Sequence, residues 1–382
     1  MTTPGNLGFT TRAIHAGEEP DPITGAHGVP IYQNSTFALG NMARFQEFWD
    51  GAPNAWGYSR DGNPTVDHLE QKVANLEGAE SCVAAASGMG AISATLLTVG
   101  ANGGHIVMAN QIYNTANKLV NEDLPEYGIT FSRVDITDLD AVEAAIMPNT
   151  TAIYTEVFSN PSMVVADVQE LARIAHRHGL KLVIDNTFLS PALYRPLEDG
   201  ADLVIHSATK YLAGHGEVLG GVVSGSEEAT APIRTKVLRL GSTLSPLAAW
   251  LIMTGMRTLP LRMERHSQNG RTVAAYLSAH PAVASWHYPG LPDDPGNATA
   301  TRLLGETGAM GGMVTVSLNG GAESVAPFVE SLKVITLATS LGDTSSLAWP
   351  ILGTDLVRLS IGLEDEEDLL ADLDNALERI PG

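Results

Sequence analysis

The chain of 382 residues contains one cysteine, Cys82, so no disulfide can form within it and no oxidising compartment is demanded. No apolar run reaches the ~20 residues needed to cross a bilayer. The opening stretch MTTPGNLGFTTRAIHAGEEP has no basic segment followed by an apolar core, so no signal peptide is expected. A cytoplasmic protein is the plain expectation. Basic residues are few: 22 Lys and Arg stand against 43 Asp and Glu, a net charge of −21. That charge repels phosphate backbones and anionic lipid, which excludes nucleic acid and membrane surfaces as expected partners. His176, His178, His206, His215 and His266 show no metal-ligand spacing, and there is no HExxH. No G-x-S-x-G elbow is present, so a serine hydrolase is unsupported. Repeats and low-complexity tracts are absent as well.

What is present is an ordinary soluble composition, 44% hydrophobic and 17% charged. The length exceeds what one compact core serves, so two domains are expected. Residues 1–57 are rich in Gly, Pro and Thr with little periodicity. They read as an extended arm, suited to packing on a neighbouring subunit. In NPTVDHLEQKVANLEG, Asn63 can cap a helix, Pro64 fits its first turn and Gly78 lies just past its end. Val66, Leu69, Val73 and Leu76 fall on one face. The runs SCVAAA, HIVMA, ITFSRV, AIYTEV, KLVID, DLVIHS and VLGGVVS read as seven strands. Helical patterns bridge the early ones, such as Asp167–His178 closed by Gly179. Such alternation predicts an α/β fold with a mostly parallel sheet covered by helices on both faces. The pattern changes after residue 235. One long helix is expected over Ser245–Ala279, then strands at GMVTVSL, VITLA and LVRLSI. The expected organisation is an arm over 1–57, a main domain over 58–235 and a smaller α+β domain over 236–382.

The chemistry-bearing residues gather around strand ends, where parallel sheets bind ligands. AAASGMGAIS places Ser87, Gly88 and Gly90 between a strand and a helix, where free N–H groups attract anions. The loop nearly spells a dinucleotide fingerprint. The third glycine is missing, however, and HIVMAN ends without the acid a ribose needs. Taken alone, it is a phosphate site or merely a tight turn. Asp185 ends KLVID, as a ring partner or a simple cap. Lys210 follows the next strand by four residues and is one of only six lysines. A strand-end acid, a lysine and an anion-binding turn together suit pyridoxal phosphate: the amine joins the aldehyde, the acid keeps the ring nitrogen protonated, and the turn holds the phosphate. Ser207 and Thr209 flank the lysine as further hydroxyl donors.

Seven motifs then occur in order: GYSRDGNPTV, ASGMGA, IDNTF, PLEDGADLVIHSATKYLAGH, RTLPLRMERH, YPGL and VRLSIGLED. On these the chain resembles the Cys/Met-metabolism family of pyridoxal-phosphate enzymes, which includes cystathionine γ-lyases and γ-synthases, methionine γ-lyases and O-acylhomoserine sulfhydrylases. The resemblance implies the aminotransferase fold type I. It implies that Lys210 is the Schiff-base lysine and Asp185 the ring-nitrogen partner. Ser87, Gly88, Met89, Ser207 and Thr209 would surround the phosphate, Tyr113 would stack on the ring and Asn160 would lie near its hydroxyl. Tyr58 and Arg60 match a pair lent to a neighbouring subunit's phosphate, so a homotetramer built of two dimers is expected. Arg358 would grip the substrate α-carboxylate, with Ser340 nearby. Taken without the family pattern, Tyr58, Tyr113 and Arg358 read as a buried aromatic, a helix-face residue and a strand ion pair.

The implied reaction is γ-elimination on a sulfur amino acid. Lys210 would move the protons and Tyr113 would protonate the departing thiolate. Thr339 stands where cystathionine enzymes often carry Glu, so the second ammonium of cystathionine lacks its partner. L-methionine, yielding methanethiol, 2-oxobutanoate and ammonia, is therefore the expected substrate. A cystathionine enzyme or a sulfhydrylase is the alternative, and an inactive cofactor-binding partner protein is the reading from another class. Departures from the family pattern are Asn114, Thr115, Ala248 and a shortened segment, SSLAWPILGTDLVRLS, before the arginine strand.

Overall fold

The computed structural model describes residues 7–305 and 308–380. All seven strands expected in the main domain form: β1 Ser81–Ala85, β2 His105–Ala109, β3 Thr130–Val134, β4 Thr150–Glu156, β5 Lys181–Asp185, β6 Leu203–His206 and β7 Gly221–Gly225. They make one sheet in the order β1-β7-β6-β5-β4-β2-β3. The run from β6 to β3 is parallel, while β7 is antiparallel to both β1 and β6. Strands β2, β5, β6 and β7 are buried almost throughout, as a sheet covered on both faces requires.

The arm is less extended than its composition suggests. It carries helices α1 Phe9–His15 and α2 Met42–Trp49. Just beyond α1, Glu18 pairs with Lys72 at 2.8 Å and also with Arg257, and both acid and lysine are buried. Lys72 Nζ also donates to the Ala13 carbonyl at 2.6 Å. The arm's first segment is thereby fastened to the body, whereas α2 buries none of its residues.

Helix α3, Pro64–Glu77, has the expected caps: Asn63 accepts from Thr65 N–H and Gly78 sits at φ 72. α4 is Gly88–Val99, α5 Asn114–Lys118, α6 Leu139–Ala144, α7 Val168–Arg177, α8 Ser190–Leu193 and α9 Glu227–Leu240. The expected boundary at 235/236 falls inside α9, which packs on α4 and β1.

The single helix expected over Ser245–Ala279 is two, α10 Pro246–Met256 and α11 Leu259–Ala279. Pro260 causes the break. It has no N–H to donate to the carbonyl of Met256, and its ring would clash there. The Gly255 carbonyl near the break accepts from Arg262 Nη2 at 2.8 Å, and Nη1 of the same side chain reaches the Tyr211 carbonyl at 2.8 Å. The break thus anchors the loop that carries Lys210.

The second sheet has five strands, not the three expected: β8 Val283–His287, β9 Met313–Leu318, β10 Thr336–Leu337, β11 Leu347–Pro350 and β12 Leu356–Ser360, in the order β10-β11-β12-β9-β8. β8 and β11 lack the alternating pattern that marks a strand from sequence. Helices α12 Asn297–Leu304, α13 Val325–Ser331 and α14 Glu366–Leu377 complete the chain.

Candidate active site

A cavity of about 360 Å³ opens where β4, β5 and β6 end and the second sheet meets them. Ser87, Gly88, Met89, Tyr113, Asn160, Asp185, Ser207, Thr209, Lys210, Thr339, Ser340 and Arg358 all line it. Twelve of the fourteen residues singled out from the sequence are therefore brought together.

At one end lies an anion cradle. Ser87 caps α4, its Oγ accepting from Gly90 N–H at 3.0 Å. The N–H groups of Gly88 and Met89 precede the first intrahelical bond, which runs from Ala91 N–H to the Ser87 carbonyl at 3.1 Å, so the helix itself leaves them without a partner. The turn is pressed against its neighbours. A Cβ on Gly88 would meet Ser207 Cβ at 2.7 Å, and one on Gly221 would meet the Ser87 carbonyl oxygen at 2.2 Å. Only glycine allows so close an approach. Thr209 contributes less than its position suggests, because its hydroxyl is engaged with the Gly220 carbonyl at 3.2 Å and Gly220 N–H at 3.0 Å.

Asp185 ends β5. Its Oδ1 accepts from Thr187 N–H at 2.9 Å and Thr187 Oγ1 at 2.5 Å, which leaves Oδ2 for something else. Burial pushes this carboxyl above the ordinary range, against the opposing pull of those hydrogen bonds. A cation beside it would restore its charge.

Lys210 lies in the turn after β6. That turn is fixed below by the buried pair His206–Glu77 at 2.5 Å and by Ser207 N–H donating to Thr187 Oγ1 at 2.8 Å. Lys210 Nζ donates to Ser340 Oγ at 2.6 Å and has no carboxylate partner among the described residues. Burial, then the positive charge of Arg358, lowers its pKa to about 8. Ser340 is held at φ 88, a conformation costly for a side-chain-bearing residue and tolerated where function over-determines the backbone.

Arg358, on β12, is buried with no ion pair among the described residues. Nη1 donates to Asn160 Oδ1 and Nη2 to the Ser340 carbonyl, both at 2.9 Å, while Nε has no partner. A buried, unpaired guanidinium with a spare N–H is a receptor for an anion.

Sequence reasoning missed Glu156. It ends β4 in register with Asp185 and is 6% exposed. Oε1 accepts from Tyr113 N–H at 2.5 Å and Oε2 from Asn160 N–H at 2.8 Å. Burial, then the adjacent Asp185 charge, pushes its pKa up. The signal was available, since it is a strand-end carboxylate in AIYTEV like that of KLVID. Leu219 and Trp349 also line the cavity and were not singled out.

Tyr58 and Arg60 do not reach the cavity. The Arg60 guanidinium stacks on the Tyr58 ring at 5.1 Å, in a separate surface pocket with Gln33, Ser35 and Ser245. Among the described residues no group of His, Cys, Asp and Glu is placed to hold a metal ion.

An anion cradle, a strand-end acid with one free oxygen, an amine of lowered pKa and an unpaired guanidinium converge at the carboxyl ends of a largely parallel sheet. This arrangement suits pyridoxal phosphate, and it defines a fold type I enzyme dependent on that cofactor.

A profile described as "Cys/Met metabolism PLP-dependent enzyme" matches residues 10–354. The chain belongs to that family and is an enzyme of sulfur amino acid chemistry. It is 41% identical to the L-methionine γ-lyase of Pseudomonas putida, over 97% of each chain. It is 39% identical to the cystathionine γ-synthase of Mycobacterium leprae, over 98% of this chain and 97% of that one. The solved cystathionine γ-lyase of Lactobacillus plantarum, complexed with L-serine, superposes with a TM-score of 0.91 at 39% identity, covering 98% of this chain and 99% of the other. Among the described residues no helix is long and apolar enough to cross a membrane.

Proposed function

We propose that the protein cleaves the γ-carbon–sulfur bond of L-methionine, consuming water and releasing methanethiol, 2-oxobutanoate and ammonia. The observation that carries this reading is the pairing of a buried Arg358, bonded only to neutral groups, with an exposed, uncharged Thr339 on the cavity lining. Such a site holds an α-carboxylate and offers nothing to a distal ammonium.

When bound, pyridoxal 5′-phosphate supplies an aldehyde for the substrate amine and a ring that takes up the electron pair left at the α-carbon. The Gly88 and Met89 N–H groups and Ser87 and Ser207 would hold its phosphate, with Thr209 positioning that loop. Asp185 Oδ2 would hold a proton on the ring nitrogen, Asn160 would lie by the ring hydroxyl and Tyr113 would cover the ring face. Arg358 and Ser340 would orient the substrate carboxylate. A Lys210 amine with pKa lowered to about 8 is suited to take the α-proton and carry protons onward. Tyr113, which lines the same cavity, would protonate the departing sulfur.

Tyr58 and Arg60 are proposed to serve the phosphate site of a neighbouring copy. Their place in a pocket separate from the Lys210 cavity and the exposed apolar side chains of α2, Met42 and Trp49, support a homotetramer of two dimers. The division into arm, main domain and C-terminal domain belongs to the same proposal, with α9 assigned to the main domain. A buried, unpaired Cys82 accords with a cytoplasmic location.

The alternative, a cystathionine lyase or synthase, is favoured by the similarity to enzymes of those names. Incubation with methionine, with cystathionine, and with O-acylhomoserine plus sulfide separates the readings by product mass. Methanethiol and 2-oxobutanoate from methionine are expected. Inertness toward methionine would overturn the proposal.

A further inference from the structure

Two large apolar side chains stand in water at the mouth of the Lys210 cavity: Leu219 is 66% exposed and Trp349 40% exposed. Trp349 lies in the shortened segment before the arginine strand. In the antiparallel β11–β12 pair it is directly opposite Arg358. Residues so paired project from the same face of the sheet, with Cβ atoms about 4.5–5.5 Å apart. The indole therefore stands one side-chain width from the guanidinium. Thr339, two residues beyond β10, lines the same cavity, and β10 pairs with the strand that carries Trp349. The carboxylates of the cavity, Glu156 and Asp185, sit deep at the ends of β4 and β5, and neither reaches the mouth.

We propose that Trp349 is a specificity-determining residue that, with Leu219, closes an apolar wall over the part of the substrate side chain beyond the γ-carbon. This rests on the reading of Arg358 as the carboxylate grip. With the carboxylate at Arg358, an unbranched amino acid side chain runs past the indole toward solvent. A methylthio end gains apolar burial and a sulfur–aromatic contact there. A distal ammonium or carboxylate would lose water against that wall without gaining a partner, which is discrimination by an unfavourable contact.

The test uses the holoenzyme and L-norleucine, which has the length of methionine and no leaving group. Tryptophan emission is expected to change on norleucine binding, and Trp349→Phe is expected to remove most of that change although four tryptophans remain. Trp349→Ala is expected to raise KM for methionine by about 10-fold or more with little change in kcat, the pattern of lost uniform binding. Trp349→Glu is expected to shift the kcat/KM ratio toward cystathionine. An identical norleucine response in Trp349→Phe, or a methionine KM within about twofold of wild type in Trp349→Ala, would overturn the wall. A changed oligomer size in Trp349→Ala with KM unaltered would overturn it too, since the indole would then pack against another copy. Norleucine reads the wall in an unreactive complex. If methionine is not turned over but the Trp349 signal persists, the wall stands and the proposed reaction falls.

Discussion

Glu156 and Tyr113 are joined by a hydrogen bond of 2.5 Å, from the tyrosine's backbone N–H to the acid's Oε1, while the acid's other oxygen takes Asn160 N–H at 2.8 Å. One buried carboxylate thus fixes two loops, one on either side of the proposed ring site. Glu156→Gln keeps the shape but turns an amide donor toward one of these N–H groups. Leaving a buried donor unmet costs about 1–3 kcal/mol. A fall in kcat/KM of about 10-fold or more is expected, with Glu156→Asp recovering part of it. Steady-state kinetics beside a thermal melt check this, because a purely structural role would lower the melting point and spare kcat.

Arg358 should reveal itself through binding. Lysine is a point charge and cannot present the guanidinium fork that spans Asn160, Ser340 and an incoming carboxylate. Arg358→Lys is expected to raise KM for the amino acid by about 10–100-fold, the size of a lost charge-assisted hydrogen bond. Cofactor absorbance should remain, so spectra and kinetics together distinguish this from collapse of the site.

Capture of the aldehyde requires the neutral amine of Lys210. Burial and the Arg358 charge depress the pKa to about 8, so the neutral fraction grows as pH rises through that value. Reconstitution of apoprotein with pyridoxal phosphate should speed up about tenfold per pH unit below ~8 and level off above it. Stopped-flow absorbance across this range reads the midpoint. A rate still climbing at pH 10 would contradict the depressed value. Lys210→Ala should abolish the covalent adduct altogether.

The cradle makes a steric prediction. A methyl at Gly88 lands 2.7 Å from Ser207 Cβ, in a turn with no room to yield. Gly88→Ala should weaken cofactor retention by about tenfold or more, following the 1–3 kcal/mol that overpacking costs. Equilibrium dialysis measures it, with circular dichroism confirming the fold.

Away from the site, Glu18→Gln would leave the buried Lys72 charge facing a neutral amide. Breaking a buried pair from one side costs about 3–5 kcal/mol. The double change Glu18→Met with Lys72→Met should cost less than Glu18→Gln, as a denaturation cycle would show.

Much of this molecule was legible in its sequence because the buried strands are unbroken apolar runs. Runs such as KLVID and LVIH advertise themselves, and the acid or lysine following each falls at one edge of the sheet. Strands β8 and β11 escaped notice because VASWH is half in water and LAWP is short and proline-ended. Their pairing comes from β9 and β12, and no local pattern supplies it. The α10–α11 break was written in Pro260, but the apolar period on either side masked it. Glu156 was overlooked for a different reason. Its partners are backbone N–H groups of residues 113 and 160, and such groups carry no side-chain signature.

Strand β7, inserted antiparallel between β1 and β6, sets an order of assembly. Gly221 must arrive beside Ala85 before the Ser87 turn has its wall, and those two residues are separated by most of the main domain's chain. A nascent polypeptide that has not yet delivered residues 221–225 to the folding domain has the helix, the acid and the lysine but no closed receptacle. Loading with the vitamin-derived group is accordingly a late event, and fragments ending short of β7 should emerge from the ribosome colourless.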